Sequence, residues 1–399
     1  MKLSVGVFFG GRSVEHEVSV ISAVQAMLSM DRTRYNVHPF YLTKKGEIYT
    51  GEALLDIEQY KNMPALLQKC LQVTLLRRET GVVWAMRAFP KLLGSSYLMQ
   101  LDVALPIVHG TLCEDGTLQG YFEMLQLPYA GCDVISSAMG MEKMVQKQIL
   151  HCAGLPVLNA VCFHLREFVK NEEGVLRRVE DLCGYPVIVK PVNLGSSVGI
   201  MTARNRESLK AAITHAGDYA HRLLCERAID PVREINCAVL GDWENAIPSL
   251  CEEPIAAGEI LSYADKYLTK MGKQGNREGM AGASRRLPAD LDSETEAHIR
   301  KLAVDAFRAL GCSGVVRVDF LIDTDNDAKV YVNEVNTIPG SLSHYLFQPI
   351  GLDYPALIDR LIELAVKRQR ERDSIVFSYD TNLLNTGSTL SLKGVGQRG

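Results

Sequence analysis

The sequence has no excess of basic residues, no long hydrophobic run and no closely spaced pair of cysteines. Its 43 Lys and Arg residues are balanced by 47 Asp and Glu residues, for a formal net charge of −4, so a general nucleic-acid-binding surface is not expected. No apolar stretch approaches the roughly 20 residues of a membrane-spanning helix. The ten cysteines include no C-x-x-C pair, and a chain of this length does not depend on disulfides. We therefore expect reduced, mostly buried thiols and a cytoplasmic protein without nucleic-acid or membrane partners.

The overall composition is that of an ordinary folded protein. Hydrophobic residues make up 47% and charged residues 23% of the 399 positions. These proportions exclude a disordered or collagen-like chain, and the length predicts two to four domains. Residues 1–7 are typical of a short β-strand and lack the hydrophobic region and cleavage site of a signal peptide.

Alternating strand and helix patterns predict an open parallel α/β domain over residues 1–130. Ile21, Val24 and Leu28 recur at helical spacing and predict an amphipathic helix after the first strand. Residues 39–100 contain one predictable hairpin, around residues 44–46, and the order of their other elements cannot be predicted. The remaining predicted elements are strands at Leu3–Phe9 and Asp102–Val108 and a helix at Gly116–Leu125.

Two further domains are predicted over residues 131–222 and 223–369, followed by a loosely ordered tail at 370–399. In the central domain the patterns predict a helix at Ser136–His151 and strands at Ala160–Phe163 and Pro186–Lys190. In the third domain they predict a helix at Glu294–Leu310 with a capping box of Ser293 and Glu296, a β-hairpin of Val315–Ile322 and Val330–Asn336, and a final helix from Tyr354 to about Gln369.

The predicted hairpin carries polar groups on strands that are otherwise apolar. Because residues two apart on a strand share a face, Arg317 and Asp319 lie together on one strand, and Glu334 and Asn336 lie together on the other. Such groups are costly to bury unless they hold something. Carboxylate and amide oxygens suit Mg²⁺, so we predict a metal site here. A structural ion pair from Arg317 to Asp319 or Glu334 is the alternative.

Two glycine-containing loops could bind charged groups. Residues 194–199 follow a strand that ends in Lys190, and their backbone N–H groups and hydroxyls could bind phosphates, although no Walker A sequence is present. Residues 10–17 lead from the first strand into a helix and suggest a dinucleotide-binding fold, but the G-x-G-x-x-G spacing is absent. Glu15 and Glu17 favour a bound ammonium there, and compensation of the helix dipole is the alternative.

Two further features could contribute to a site. His109 follows the apolar strand at 102–108, at the end where open α/β sheets bind ligands. A structural histidine is the alternative. The long segment from Ser262 to Arg286 is rich in Gly, Lys and Arg and is typical of a lid over a nucleotide.

Taken together, eight ordered motifs resemble those of the D-alanine–D-alanine ligases, an ATP-grasp family. The resemblance runs from about residue 2 to residue 366 and rests on GGRSVEHEVS, PIVHGTLCEDGTLQG, SSAMGMEK, VIVKPVNLGSSVG, REINCAVLGD, DKYL, SGVVRVDF and NEVNTIPGSLSH. It implies a three-domain α/β fold, with an N-terminal open parallel α/β domain followed by two ATP-grasp α+β domains.

The resemblance also implies a reaction. ATP would phosphorylate the carboxylate of one D-alanine, and the amine of a second D-alanine would attack the acyl phosphate to give a dipeptide for peptidoglycan synthesis. ATP would be a co-substrate, two Mg²⁺ ions (or Mn²⁺) the metal cofactors, and a homodimer the assembly. A non-catalytic ATP-grasp protein is the alternative, which the complete set of charged hairpin residues disfavours.

The same resemblance implies roles for individual residues. Those resembling catalytic residues are Glu15, Ser196, Tyr267, Arg317 and Gly340. Those resembling substrate-binding residues are His109, Tyr345 and Leu346. Those resembling ATP-binding residues are Lys143, Lys190, Ser197, Glu226, Glu234 and Lys266. Those resembling metal ligands are Asp319, Glu334 and Asn336.

The sequence departs from the family pattern near the second substrate. Tyr345 stands where the family usually has a serine that helps to bind the second carboxylate, and the segment 268–284 is longer and richer in glycine than usual. We expect the Tyr345 hydroxyl, or Arg285 or Arg286, to replace the serine. The alternative is that the backbone N–H of Leu346 suffices.

The second substrate is expected to be D-alanine. Tyr267 is the residue that resembles the D-alanine-using members of the family, and relatives that use D-lactate generally lack it. Relatives that use D-serine usually carry Arg at the position of Leu346. D-serine and D-lactate stay open as alternatives.

Overall fold

The computed structural model describes residues 2–78, 83–87, 97–255 and 285–376, which form three β-sheets with helices packed against them. None of the helices in these ranges is long and apolar enough to cross a membrane. All ten cysteines are free in the structure, and seven of them are buried, as predicted for most of them.

The N-terminal sheet has seven strands: β1 Leu3–Gly10, β2 Tyr35–Leu42, β3 Ile48–Thr50, β4 Leu71–Arg77, β5 Val83–Arg87, β6 Tyr97–Leu101 and β7 Val103–Val108. Their order is β6-β5-β4-β3-β2-β1-β7, and β1 lies parallel to both β2 and β7. The predicted parallel arrangement is confirmed for these three strands. Strands β3 to β6 extend the sheet with antiparallel pairing. They lie in the region, residues 39–100, where the order of the elements could not be predicted.

The first helix packs on this sheet with a different apolar stripe from the predicted one. Helix α1 (His16–Ser29) buries Val20, Val24 and Met27, whereas Leu28 is 67% exposed. Leu28 was therefore wrongly predicted to belong to the buried stripe. The neighbouring helical segments are 3₁₀ turns at Glu52–Leu55 and Ile57–Lys61, α2 Met63–Gln68 and α3 Thr117–Met124.

Two helices replace the single helix that was predicted over Ser136–His151. Helix α4 spans Val134–Met141 and helix α5 spans Lys143–Cys152. Glu142 between them is extended, and its carboxylate accepts a hydrogen bond from the Val145 N–H at 2.6 Å. A capping carboxylate of this kind satisfies a free N–H at a helix start, so α5 begins at Lys143 as a separate helix.

The central sheet has four strands in the order β10-β9-β11-β8. These are β8 Ala160–His164, β9 Val187–Pro191, β10 Met201–Ala203 and β11 Arg222–Arg227, with helices α6 Leu165–Lys170, α7 Glu172–Cys183 and α8 Arg206–Gly217. The predicted domain boundary at residues 222 and 223 falls inside β11. Because β11 pairs with β8 and β9, this strand lies in the central sheet rather than in the next one.

The third sheet is antiparallel and has five strands in the order β14-β13-β12-β15-β16. These are β12 Val232–Gly241, β13 Ala246–Pro254, β14 Arg285–Arg286, β15 Gly314–Asp323 and β16 Lys329–Asn336. Helix α9 (Ser293–Ala309) packs against it. The predicted hairpin is confirmed, but the capping box is wrong: Asp292 caps α9 and accepts hydrogen bonds from the N–H groups of Glu294 and Thr295.

The chain then returns to the N-terminal sheet. The last elements are 3₁₀ turns at Gly340–Ser343 and Gln348–Ile350, helix α10 His344–Phe347 and helix α11 Tyr354–Asp373. Leu357, Ile358 and Leu361 of α11 lie in the same hydrophobic core as β1 and β7. Helix α11 extends to Asp373, so the predicted tail does not begin at residue 370, and residues 377–399 lie outside the described residues.

Candidate active site

A cavity of about 440 Å³ lies between the central sheet and the third sheet. Lys190 and Glu226 line it from the central sheet, and Glu234, Asp319 and Glu334 line it from the third sheet. Strands on both sides of the cavity, at residues 186–190 and in the hairpin of residues 315–336, were predicted, but the contact between the two sheets could not be predicted from the sequence. The cavity therefore brings together residues that lie more than 100 positions apart in the sequence.

Two lysines enclose one buried carboxylate at the cavity wall. Glu226 is 1% exposed and forms ion pairs with Lys190 and, at 2.8 Å, with Lys147. Burial alone would raise the pKa of Glu226, but the two ammonium groups outweigh it and lower the pKa to about 2. Burial lowers the pKa of Lys147. The three side chains together hold one surplus positive charge.

The loop after β9 carries a serine to the first domain. Ser196 and Ser197 both have left-handed backbones, with φ of 52° and 60°, a conformation that costs free energy in residues other than glycine. The Ser196 hydroxyl donates a hydrogen bond to the carboxylate of Glu15, which lies at the start of α1. Lys143 donates to the Leu194 carbonyl at 2.6 Å. The loop thus joins the N-terminal and central parts of the molecule.

A smaller pocket of about 50 Å³ adjoins the larger cavity. Both are lined by Lys143, Leu194, Gly195, Ser196 and Glu334. The smaller pocket is completed by Glu15, His109, Glu114, Gly140, Met141, Arg317, Val335, Asn336, Ile338, Pro339 and Gly340. Predicted residues from all three parts of the chain therefore meet at one junction.

His109 presents a hydrogen-bond acceptor in the smaller pocket. It is 3% exposed, and its Nδ1 lies 2.8 Å from the Ile338 carbonyl oxygen. Because a carbonyl only accepts, Nδ1 carries the proton and Nε2 is an acceptor. Burial lowers the pKa of His109, which favours the neutral ring. Within the described part of the chain, Nε2 has no hydrogen-bond partner.

Glu114 holds the loop that follows β16 beside His109. Its carboxylate accepts hydrogen bonds from the Ile338 N–H at 2.8 Å and from the Thr337 hydroxyl at 3.2 Å. Burial, together with the nearby carboxylate of Glu15, raises the pKa of Glu114 to about 7. Glu114 therefore fixes the position of the loop that leads to Gly340.

The polar groups of the hairpin lie where they were predicted. Asp319 faces Glu334 across β15 and β16, and Arg317 faces Asn336. Arg317 makes a bidentate ion pair with Asp319, at 2.6 and 2.7 Å, so the structural alternative is present. Burial opposes the charge of Arg317, but Asp319 raises its pKa well above the ordinary value. Lys143 lies 3.7 Å from Glu334.

Two carboxylates and one amide, those of Asp319, Glu334 and Asn336, lie together on the hairpin. The Asn336 amide nitrogen donates a hydrogen bond to Asp319 Oδ2 at 3.0 Å. A rotation of the amide group by about 180° would bring its oxygen to this position instead. The described residues contain no group of three or more His, Cys, Asp or Glu side chains that could hold a metal ion. Any ion bound at Asp319 and Glu334 would therefore need oxygen ligands from a substrate or water.

An unusual turn carries Gly340 to the pocket. Ser341, Leu342 and Ser343 have left-handed backbones in succession, with φ of 49°, 51° and 49°. Three interactions hold the turn: the Ser341 N–H donates to Ser22 at 3.0 Å, the Ser341 hydroxyl donates to Gln25 at 3.0 Å, and the Leu342 N–H donates to the Pro339 carbonyl at 2.8 Å. Helix α1 thus supports the backbone beside Gly340.

The predicted second-substrate residues lie in a buried polar cluster. Tyr345 donates its hydroxyl hydrogen to Glu252 at 3.1 Å, and Arg285 stacks 3.9 Å from the Tyr345 ring centre. Arg285 also pairs with Glu252 at 3.1 Å, and Asn236 donates to Glu252 at 3.0 Å. Leu346 is completely buried. This cluster continues the row of Asn236, Asp319 and Glu334 across the third sheet.

Some of the predicted site residues lie in a part of the chain that the structure does not describe. Other residues of the site were not predicted. Lys266, Tyr267 and the predicted lid segment 268–284 lie outside the described residues. Lys147 and Glu252 were not among the predicted site residues, and Glu114 was noted beside His109 without a role of its own. Lys147 lies one helical turn after Lys143, and Glu114 lies inside a quoted motif, so both carried a signal. Glu252 carried none, because its role depends on which strand lies beside it.

The chain matches two family models that together cover most of it. The model described as D-ala D-ala ligase N-terminus matches residues 4–132. The model described as D-ala D-ala ligase C-terminus matches residues 149–363. The second match includes both the cavity residues of the central sheet and the hairpin.

Similar proteins match over nearly the full length. The D-alanine–D-alanine ligase of Thermosipho melanesiensis is 37% identical, covering 96% of this chain and 98% of that protein. The solved structure of the D-alanine–D-alanine ligase from Coxiella burnetii has a TM-score of 0.76 at 31% identity, covering 93% and 96% of the two chains. The VanG D-Ala:D-Ser ligase from Enterococcus faecalis has a TM-score of 0.74 at 31% identity, covering 92% and 100%.

Proposed function

The chain belongs to the D-alanine–D-alanine ligase family and joins two D-alanine molecules using ATP, and we propose that the reaction runs through an acyl phosphate at the junction of the two cavities. The observation that carries this proposal is their common wall of Lys143, Ser196 and Glu334. A γ-phosphate in the larger cavity would meet a carboxylate in the smaller pocket. The dipeptide would supply peptidoglycan synthesis.

The smaller pocket suits the first D-alanine. The Glu15 carboxylate and the His109 Nε2 atom are both acceptors, and an ammonium group offers three donors. The hydrogen bond from Ser196 fixes the Glu15 carboxylate in this pocket. We propose that Glu15 and His109 bind the ammonium group of the first D-alanine. We also propose that the Ser196 hydroxyl connects Glu15 to Tyr267.

The larger cavity suits ATP. Lysine ammonium groups and loop hydroxyls bind phosphate oxygens by charge and hydrogen bonding. The proposed phosphate ligands are Lys143, Lys190, Ser197 and Lys266, and the proposed base-side and ribose-side residues are Glu226 and Glu234. Glu226 and Glu234 both line the cavity.

The hairpin suits Mg²⁺ when phosphate oxygens are present. Asp319 and Glu334 offer facing carboxylates, and Asn336 offers an amide oxygen once its amide is turned. Mg²⁺ bound there would offset the charge of the transferred phosphoryl group. Arg317 holds the Asp319 carboxylate in a fixed orientation through two hydrogen bonds.

The residues around Arg317 suit the second step. In the first step a carboxylate oxygen attacks the γ-phosphorus and ADP leaves. In the second, the amine of the other D-alanine attacks the acyl carbon, gives up a proton, and phosphate leaves. Arg317 and the Gly340 N–H are assigned to the oxygen that becomes negative between these events. No side chain needs to act as a nucleophile.

D-serine is the second candidate for the acceptor position. The observation that favours it is that the VanG D-Ala:D-Ser ligase is as similar in sequence as the Coxiella burnetii enzyme. Tyr345 and Leu346 are assigned to the acceptor side. The arginine expected of a D-serine enzyme at position 346 is absent, since that residue is Leu346.

The test is phosphate release with ATP and Mg²⁺ across a panel of acceptors. With D-alanine as first substrate, we expect D-alanine to outperform D-serine and D-lactate as acceptor. Release that is fastest with D-serine would move the assignment to the second candidate, and no release with any of them would refute the proposal. We further propose that the protein is a cytoplasmic homodimer. Light scattering after size-exclusion chromatography would test the dimer.

A further inference from the structure

Lys147 has no role in the proposed reaction, although it is almost completely buried beside the nucleotide cavity. It is 3% exposed and pairs with Glu226 at 2.8 Å. Lys190 pairs with the other oxygen of the same carboxylate. Lys190 and Glu226 line the cavity, whereas Lys147 is not among its described lining residues. The carboxylate therefore lies between a lysine in the cavity wall and a lysine away from it.

We infer that Lys147 is a positioning residue that keeps the charge of Glu226 compensated when Lys190 turns from Glu226 to the phosphates of the nucleotide. This inference rests on the proposed assignment of ATP to the larger cavity. It assigns Lys147 no contact with the substrate. Its effect is exerted through Glu226 and Lys190.

The effect of Lys147 depends on the number of charges buried beside Glu226. With Lys147 in place, Lys190 can leave and Glu226 keeps one ion pair. Without Lys147, Glu226 and Lys190 form a simple neutral pair, and a phosphate that draws Lys190 away leaves a carboxylate buried alone. Breaking a buried pair from one side is strongly unfavourable. Lys147 thus matters little before the nucleotide binds and much afterwards.

The position of Lys147 on its helix supports this division of labour. Lys143 and Lys147 are four residues apart in α5, so they lie on the same face of the helix. Lys143 reaches both cavities and contacts the Leu194 carbonyl. Lys147 instead points to a buried carboxylate. Helix α5 therefore supplies Lys143 for the ligand and Lys147 for Glu226, the carboxylate that pairs with Lys190.

The test compares two ligands that differ in their phosphates. Binding of ADP with Mg²⁺ and of adenosine is measured for the parent and for Lys147→Met, with Lys301→Met on an exposed face of α9 as control. We expect Lys147→Met to raise the Kd of ADP by about tenfold or more, because the ADP phosphates draw Lys190 away from Glu226. The Kd of adenosine, which has no phosphates, should rise by less than about twofold. Equal losses for both ligands would overturn the inference, because they would indicate general damage.

A second variant pair keeps the test sound if Lys147→Met folds poorly. In the Glu226→Gln background no buried carboxylate remains, so adding Lys147→Met should change the ADP Kd by less than about twofold. A further tenfold loss in that background would show that Lys147 acts on the nucleotide itself and would overturn the inference. If the parent binds no ADP, the proposed function itself fails. That outcome is distinct from the two results that would overturn the inference about Lys147.

Discussion

The Tyr345 hydroxyl donates its hydrogen to Glu252 across 3.1 Å, so the residue at the expected acceptor side is held in place by a buried carboxylate. Arg285 pairs with the same carboxylate at 3.1 Å and stacks on the Tyr345 ring. Arg286, the next residue, pairs with Glu253 at 3.4 Å and is half exposed. Of the two candidate arginines, the structure places Arg285 beside Tyr345.

We expect Arg285 to be the residue that recognises the carboxylate of the second D-alanine. A hydrogen bond to a charged group contributes about 1.5–3 kcal/mol. The Michaelis constant for the second D-alanine should therefore rise about tenfold or more in Arg285→Met. Steady-state phosphate release at saturating ATP measures it. Arg286→Met is the matched control and should stay within about twofold of the parent.

Tyr345→Phe separates the phenol from the arginine. The ring that supports Arg285 remains, and only the hydrogen bond to Glu252 is lost. If Tyr345→Phe, Arg285→Met and Arg286→Met all stay within about twofold of the parent, the replacement hypothesis is wrong and the backbone N–H of Leu346 suffices.

Removing a carboxylate or amide from the hairpin should abolish turnover without unfolding the protein. Glu334→Ala and Asn336→Ala should lower phosphate release at least about a hundredfold, the scale on which a lost transition-state contact acts. The circular-dichroism spectrum and Tm should stay close to the parent values. Asp325→Ala, in the exposed turn of the same hairpin, is the control. Near-parent turnover in Glu334→Ala would refute the metal assignment.

Stability should depend on pH through Glu114. Its pKa of about 7 in the folded protein lies above its ordinary value of 4.5. Between these values the folded protein binds a proton that the unfolded chain has released, so stability falls as pH rises and levels off above about 7. Glu114→Gln cannot ionise, and its stability relative to the parent should therefore increase over this interval.

The gain in Glu114→Gln should approach about 3.5 kcal/mol at most, at about 1.4 kcal/mol per pKa unit. Urea unfolding at pH 5, 6, 7 and 8 measures it. Glu58→Gln, at an exposed carboxylate, should show no such trend. A stability difference that is constant from pH 5 to pH 8 would contradict the raised pKa of Glu114.

The hairpin and its polar residues could be predicted because a strand has a period of two. That period alone places Asp319 with Arg317 on one face. The end of α5 was predictable from Gly154 and Pro156, which follow the helix and terminate it, but its start was not. Glu142 lies within a continuous helical pattern, and only its side-chain cap shows that the helix begins again at Lys143.

The other parts of the site depend on which distant segments meet. Glu252 has meaning only because β13 lies beside β12, which puts it next to Asn236. The shift of the buried stripe away from Leu28 reflects what α1 packs against: the turn at Gly340–Ser343 and helix α11 lie on it. These relations follow from tertiary structure, and no pattern within a single element encodes them.

The most direct test of the acyl phosphate follows one oxygen atom. The protein is incubated with ATP, Mg²⁺ and D-alanine whose carboxylate is labelled with ¹⁸O, and the released phosphate is analysed by mass spectrometry. A carboxylate oxygen that attacks the γ-phosphorus remains on phosphorus when the second amine expels the phosphate. We therefore predict one ¹⁸O atom in each phosphate released with the dipeptide. Unlabelled phosphate, or labelled AMP with pyrophosphate, would contradict the account.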